Sequence, residues 1–269
     1  DIRLIWYYRV KNIMKKDIVA GLGEIGNPIL KLLSIHQQVI GFDKDKKLMN
    51  KLKYKKFQDV STSFLHIAIP VTKNFDSNVI KLYKKFNPEC IVIHSTISPG
   101  TTLRLQSNIP IPIIYSATRG IHKRMLKDLK RYTKFFAISK TAPKKEWAIS
   151  QYRQTMKKCG IKTQRMSKPE TLELAKILCD TSYLGWLINY AQLTNTIAIQ
   201  HNVDYDEMWT FSDEIHQILG NRPKLYPGFI GGHCVIPNLE LLHNQTLSLI
   251  KKMNTNYAES VTQKKKNFQ

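Results

Sequence analysis

The residues best suited to chemistry lie far apart along the chain. Cys234 follows Gly231-Gly232-His233, and consecutive glycines let a turn take positive φ and bring its backbone close to a ligand. A thiol held there can be presented to a substrate; the competing reading is one small buried hydrophobe in a loop. Lys176 and Asp180 stand four apart, on one face of a helix, and read either as a surface ion pair or as a charged pair within a site. Near the other end, Gly21-Leu22-Gly23-Glu24-Ile25-Gly26 has the glycine spacing that cradles a pyrophosphate. Asp43 follows about 20 residues later, where an acid hydrogen-bonds a ribose 2′-hydroxyl. A carboxylate there disfavours a 2′-phosphate and points to NAD over NADP, a preference weakened by Lys44, Lys46 and Lys47 beside it.

These groups need elements to hold them. The run Asp17-Ile18-Val19-Ala20 reads as a buried strand entering the glycines, and Ile29, Leu30, Leu32 and Leu33 continue at helical spacing. Strand, glycine turn and helix are the context the dinucleotide fingerprint requires. Further strands follow at Gln38 to Phe42, Phe64 to Ile69, Cys90 to His94, Ile111 to Tyr115 and Lys134 to Ile138. Their alternation with helical stretches predicts a parallel, Rossmann-type doubly wound α/β sheet over residues 14–168. Ligands bind outside the C-terminal ends of such strands. The loops holding Ile69, Pro70 and Val71, Ser95 and Thr96, and Ser116 to Gly120 therefore face the cofactor edge.

After Ser167-Lys168-Pro169-Glu170, which reads as a capping box, apolar positions recur at helical spacing to about residue 200. The expectation is an α-helical domain over residues 169–253 built on one long helix, which would pack on a second domain or a partner chain. Residues 254–269, with Lys264-Lys265-Lys266, read as a flexible basic tail, and residues 1–13 as an upstream extension before Met14.

Composition narrows the function classes. The 269 residues are 42% hydrophobic, enough for a real core, and carry no apolar run long enough to span a membrane. Cys90, Cys159, Cys179 and Cys234 form no CxxC pair and no metal-ligand spacing; this predicts no metal site, no disulfide framework and a reducing, cytoplasmic setting. The 42 Lys+Arg against 20 Asp+Glu give a net charge of +22. That excess suits nucleic acid or phosphorylated ligands, but the lysines are scattered and no nucleic-acid recognition motif accompanies them.

Four motifs taken together resemble the UDP-glucose/GDP-mannose dehydrogenase family of nucleotide-sugar dehydrogenases, over most of residues 16–245. They are Gly21 to Gly26 with Asp43, Ser95-Thr96 with Pro99-Gly100-Thr101-Thr102, Lys176, and Gly231-Gly232-His233-Cys234. The resemblance implies an NAD domain, a homodimer formed through the long helix, and two-step oxidation of a sugar's primary alcohol to a carboxylate. It implies that Cys234 is the nucleophile, that Lys176 stabilises the oxyanion, and that Thr96 holds a water or the reacting hydroxyl. Gly231 and His233 fall on the substrate side.

The sequence departs from the family at the acid–base positions. Thr118 stands where a carboxylate serves as proton shuttle, Asp180 where the family has Asn, and Asn238 where it has Asp. The chain ends about where the family's C-terminal domain begins. Arg119 and His122, with Lys123 and Arg124, either receive an anionic group or form a solvated basic helix start. Two alternatives to the two-step oxidation stay open: a single-step NAD-dependent dehydrogenase without a thioester, and a catalytically silent NAD- or nucleic-acid-binding protein.

Overall fold

The computed structural model describes residues 14–232 and 234–267, with side chains to residue 260. The chain divides into two compact units, the first ending at Leu174 and the second starting at Ala175.

In the first unit strands and helices alternate: β1 (Lys16–Ala20), α1 (Gly26–Leu33), β2 (Val39–Phe42), α2 (Lys51–Phe57), β3 (Thr62–Ile67), α3 (Phe75–Phe86), β4 (Cys90–Ile93), α4 (Thr101–Asn108), β5 (Ile113–Tyr115), α5 (Met125–Arg131), β6 (Lys134–Ile138), α6 (Lys145–Lys158) and β7 (Thr163–Arg165). They form one seven-stranded sheet of order β2-β1-β3-β4-β5-β6-β7. The order reverses at β1, so the crevice for a ligand opens beyond the C-terminal ends of β1 and β3.

The strands are near-continuous apolar runs because helices cover both faces. One core joins Val19 and Val92 to Ile29, Leu32 and Leu33 of α1 and Ile149 and Tyr152 of α6. The opposite core joins Ile18, Leu65 and Ile91 to Phe75 and Val79 of α3 and Leu105 of α4.

One strand departs from the parallel sheet expected from the alternation. β6 runs antiparallel to β5, with Ile114 opposite Ile138 and Tyr115 opposite Ala137. A short apolar run carries no mark of its direction, and the connection through Arg119 to Thr133 returns the chain to the end of β5 it has just left.

The helix predicted to run unbroken from residue 169 to 200 has three parts. These are α7 (Pro169–Ala175), a π-helical segment (Lys176–Ser182) and α8 (Tyr183–Gln200). The capping box is replaced by a different contact, Glu170 taking the Lys168 ammonium at 3.2 Å. α9 (Tyr205–Leu219), α10 (Val235–Leu239) and α11 (Gln245–Asn267) complete the second unit. Its core gathers Ile230, Val235, Leu239, Leu247 and Ile250, with Trp186 and Ile188 against them. The stretch from residue 254, expected to be a flexible tail, is helical instead. α11 continues through Asn267, and Asn254 is buried. The expected extension at residues 1–13 lies outside the described residues.

Candidate functional site

The glycine turn sits at the crevice end of β1. Gly21 has φ +89°, and a Cβ there would collide with the Ala68 carbonyl. At Gly26 a Cβ would press into the Gly21 carbonyl, which fixes the close approach of α1 to the turn. At Gly23 a Cβ would meet nothing within 4 Å, so that glycine leaves space outside the protein's own packing. The Leu22 N–H donates to Asp43 Oδ2 at 2.6 Å and the Asp45 N–H to Asp43 Oδ1 at 2.9 Å. The acid from β2 is thus locked beside the turn, while each oxygen keeps a lone pair for another donor. An open cradle at Gly23 flanked by a fixed carboxylate fits the pyrophosphate and ribose of a dinucleotide. Ile25 is half-buried against the sheet core, and the exposed Glu24 carboxylate meets His122 Nδ1 at 2.6 Å. His122, expected on the substrate side, is therefore engaged with the glycine turn.

The next crevice loops are tied together. Ser95 Oγ donates to the Ile69 carbonyl at 2.7 Å, linking the loop after β4 to Ile69-Pro70-Val71 after β3. Thr96 is half-buried in that loop. The loop is anchored by Glu173, a residue sequence reasoning missed. Its fully buried carboxylate accepts from Gly100 N (2.6 Å), Thr102 N (3.0 Å) and Thr102 Oγ1 (2.6 Å). It supplies the acceptor that the first turn of α4 lacks locally. Burial pushes its pKa up, against the lowering effect of those hydrogen bonds.

At the end of β5, Ser116 Oγ donates to Phe135 O and receives Tyr152 OH, both at 2.8 Å. The buried Lys134 of β6 donates to Ser116 O, Ala117 O and Thr118 Oγ1 at 3.1, 3.4 and 3.2 Å. Arg119 donates to Thr133 O at 2.7 Å, and its guanidinium lies over Phe135 and Tyr132. The buried Asp128 accepts from Ile121 N and from Arg124 Nε. The Ile121 bond, with Arg124 behind it, holds its carboxyl below the usual carboxylate range. Arg119, His122 and Arg124 each have a partner within the protein.

In the second unit the Lys176 ammonium bonds the Asp180 carboxylate. Lys176 opens the π-helical segment, and its carbonyl accepts Thr181 Oγ1 at 3.1 Å. Such widened turns recur at functional sites. α10 packs against this segment. Cys234 is exposed at the N-terminus of α10, between Ile230 and Val235, both buried in the core. Gly231 is exposed, Gly232 has φ +77°, and Asn238 is half-buried on α10; His233 lies outside the described residues.

Two further features hold the cysteine turn, and neither was read from the sequence. Gly185 gives Val235 room to seat: a Cβ there would meet Ile250 at 3.0 Å and Val235 at 3.2 Å. A buried amide chain then grips the residues before the glycines. Asn189 donates to Gln192 Oε1 (2.8 Å), and Gln192 Nε2 to Gly228 O (2.8 Å) and Asn254 Oδ1 (3.0 Å). Asn254 closes on both backbone groups of Ile230. Among the described residues no group of three or more His, Cys, Asp or Glu could hold a metal, and no helix is long and apolar enough to cross a membrane.

This is a Rossmann-like α/β fold followed by a helical unit, and solved structures share it. UDP-D-ManNAc dehydrogenase from Pyrococcus horikoshii superposes with a TM-score of 0.70 at 17% identity, over 90% of this chain and 68% of that one. The UDP-N-acetyl-mannosamine dehydrogenase from Staphylococcus aureus gives 0.69 at 18% identity, over 94% and 70%. The 3-hydroxyisobutyrate dehydrogenase of Mycobacterium tuberculosis gives 0.66 at 14% identity, over 91% and 94%. The fold expected from the nucleotide-sugar dehydrogenase resemblance is thus the fold found. No protein-family model and no curated protein matches the chain.

Proposed function

We propose that this protein is an NAD-dependent oxidoreductase of the nucleotide-sugar dehydrogenase type, oxidising a primary alcohol of a sugar or sugar-like substrate through Cys234. The observation that carries this is the pairing of an exposed, core-anchored Cys234 with the π-helical segment that opens at Lys176. A nicotinamide cofactor supplies a hydride acceptor for each oxidation. The residues to hold it are Gly21, Gly23 and Gly26 with Asp43, whose carboxylate supports NAD over NADP.

The remaining work falls to side chains of this chain. The Cys234 thiolate adds to the carbon of the first-formed aldehyde, and loss of a second hydride converts that adduct to a thioester. Water then cleaves the thioester and releases a carboxylate. Lys176 opposes the negative charge on the oxygen in each addition. Asp180 holds the Lys176 ammonium in place, and Asn238 offers an amide where water activation would call for an acid. The exposed Tyr190, Leu193 and Ile197 of α8 and Phe211 and Ile218 of α9 support a homodimer formed through these helices, and the small number and scattered spacing of the cysteines support a cytoplasmic setting.

A screen for NADH absorbance over UDP-, GDP- and free sugars tests the reading, run beside Cys234→Ser. The expected result is two NADH per substrate, with turnover lost and NAD binding kept in the variant. Full activity in Cys234→Ser would sink the thiol mechanism. A second reading, a single oxidation without a thioester, is favoured by Thr118, whose hydroxyl is bonded to Lys134 where the two-step chemistry calls for a carboxylate. It is recognised by one NADH per substrate and an aldehyde or ketone product.

A further inference from the structure

We infer that Lys134 positions Thr118 as a hydrogen-bond donor at the ligand edge of the sheet, and that this edge takes an anionic oxygen of the ligand, a carboxylate or a phosphate ester.

β6 runs antiparallel to β5. Its register, Ile114 with Ile138 and Tyr115 with Ala137, brings Lys134 level with Thr118 just beyond the C-terminal end of β5. A parallel β6 would have put the same lysine at the opposite edge. From there the buried ammonium donates to Ser116 O, Ala117 O and Thr118 Oγ1. An ammonium only donates, so the Thr118 oxygen is the acceptor and its own proton is left to donate elsewhere. The Thr118 N–H is bonded to His94 O at 3.3 Å, which fixes the turn.

Neighbouring groups keep this polarity. The Ser116 hydroxyl is used by Phe135 O and Tyr152 OH. His94 Nδ1 lies 3.2 Å from Ser116 O, and a carbonyl only accepts, so that ring nitrogen carries a proton and cannot take one from a ligand. Arg119 follows directly, its guanidinium held by Thr133 O and two aromatic rings. Asp128, which lines the same cavity as Lys134 and Arg119, is already matched by Ile121 N and Arg124. A hydroxyl backed by a buried cation has the polarity to hold an anion and the wrong polarity to act as a base.

The inference rests on the ligand edge of the sheet and is independent of the redox chemistry. Its test is an NMR titration of the full chain, following the backbone amide signals of Ala117 and Arg119. Sodium acetate, inorganic phosphate and acetamide are added at constant ionic strength. Acetate or phosphate should shift these signals saturably, the stronger of the two naming the source of the anion, while acetamide should not. Thr118→Val should weaken that binding about tenfold or more, as expected for loss of a hydrogen bond to a charged group. Thr118→Ser, which keeps the hydroxyl, should restore it, and Lys134→Met should match the valine variant. Thr118→Val keeps Lys134 and decides the matter should the Lys134→Met protein not fold. Equal shifts with acetamide, unchanged binding in Thr118→Val, or no saturable shift with either anion would overturn the inference. An anion response without NADH from any alcohol leaves it standing and removes the dehydrogenase reading; NADH formation without an anion response does the reverse.

Discussion

Ile230 and Asn254 are joined in both directions: the Ile230 N–H donates to Asn254 Oδ1 at 2.7 Å, and Asn254 Nδ2 donates to the Ile230 carbonyl at 3.1 Å. A side-chain amide here stands in for a neighbouring strand, and it does so just before the glycines that carry Cys234. Asn254→Ala leaves two buried backbone groups without partners, at a cost of about 2 kcal/mol or more. Urea unfolding should show this loss. Asn254→Asp, which keeps the acceptor but opposes the carbonyl, should fall between parent and alanine variant.

Glu173 does for the Thr96 loop what Asn254 does for the cysteine turn. Glu173→Ala removes the acceptor of Gly100 N and both donors of Thr102, and should cost about 2–4 kcal/mol. Glu173→Gln keeps one oxygen but turns an N–H group toward donors, so it should recover only part of the loss. A urea midpoint equal to that of the parent in either variant would show that the loop is held by other means.

His94 sets a pH dependence. Burial, with Lys134 and His66 adding to it, pushes its pKa well below 6.5. The folded state therefore keeps the ring neutral while the unfolded chain protonates it, and the unfolded state binds more protons below the unfolded value. Stability from this group is fully present above pH 6.5. It is lost as pH falls, by up to about 1.4 kcal/mol per pH unit. Unfolding free energies measured at steps between pH 7.5 and 5 should show this slope, and His94→Gln should flatten it.

The glycines of one turn should separate into two kinds. Gly26→Ala forces a Cβ against the Gly21 carbonyl and should destabilise the first unit by about 1–3 kcal/mol or more. Gly23→Ala meets nothing within 4 Å, so it should melt like the parent while binding NAD more weakly. Thermal melts paired with NAD titration distinguish the two; a matched loss of stability in both variants would mean that Gly23 serves packing alone.

The parts of the site that were legible in the sequence are those that local rules dictate. Glycine spacing, strand context and an acid at the end of the next strand place Gly21, Gly23, Gly26 and Asp43 without further information. Helical spacing likewise puts Lys176 and Asp180 on one face. What was not legible depends on contacts between residues distant along the chain. Glu173 sits among helix formers, and nothing nearby says that its carboxylate caps a helix some 70 residues earlier. Lys134 begins an ordinary apolar run, and only the reversal of β6 makes it a neighbour of Thr118. Asn254 sits in a polar stretch that by composition reads as loose; its partners, Ile230 and Gln192, are set by tertiary packing. The basic cluster at Arg119 to Arg124 read either as an anion receiver or as a solvated helix start, because Thr133, Glu24 and Asp128 could not be assigned to it from spacing.

The π-helical turn at Lys176–Ser182 also acts as a phase shifter. An α-helix advances about 100° per residue, so one residue absorbed in a widened turn rotates everything beyond it by roughly that angle. The azimuth of Gly185 beneath Val235, and that of the Asn189–Gln192 pair toward Asn254, are both set downstream of this insertion. Deleting one residue from the segment would restore a regular helix and turn these groups away from the cysteine turn together, with no contact residue itself replaced. Helical content would survive such a deletion while the anchoring of Cys234 would not.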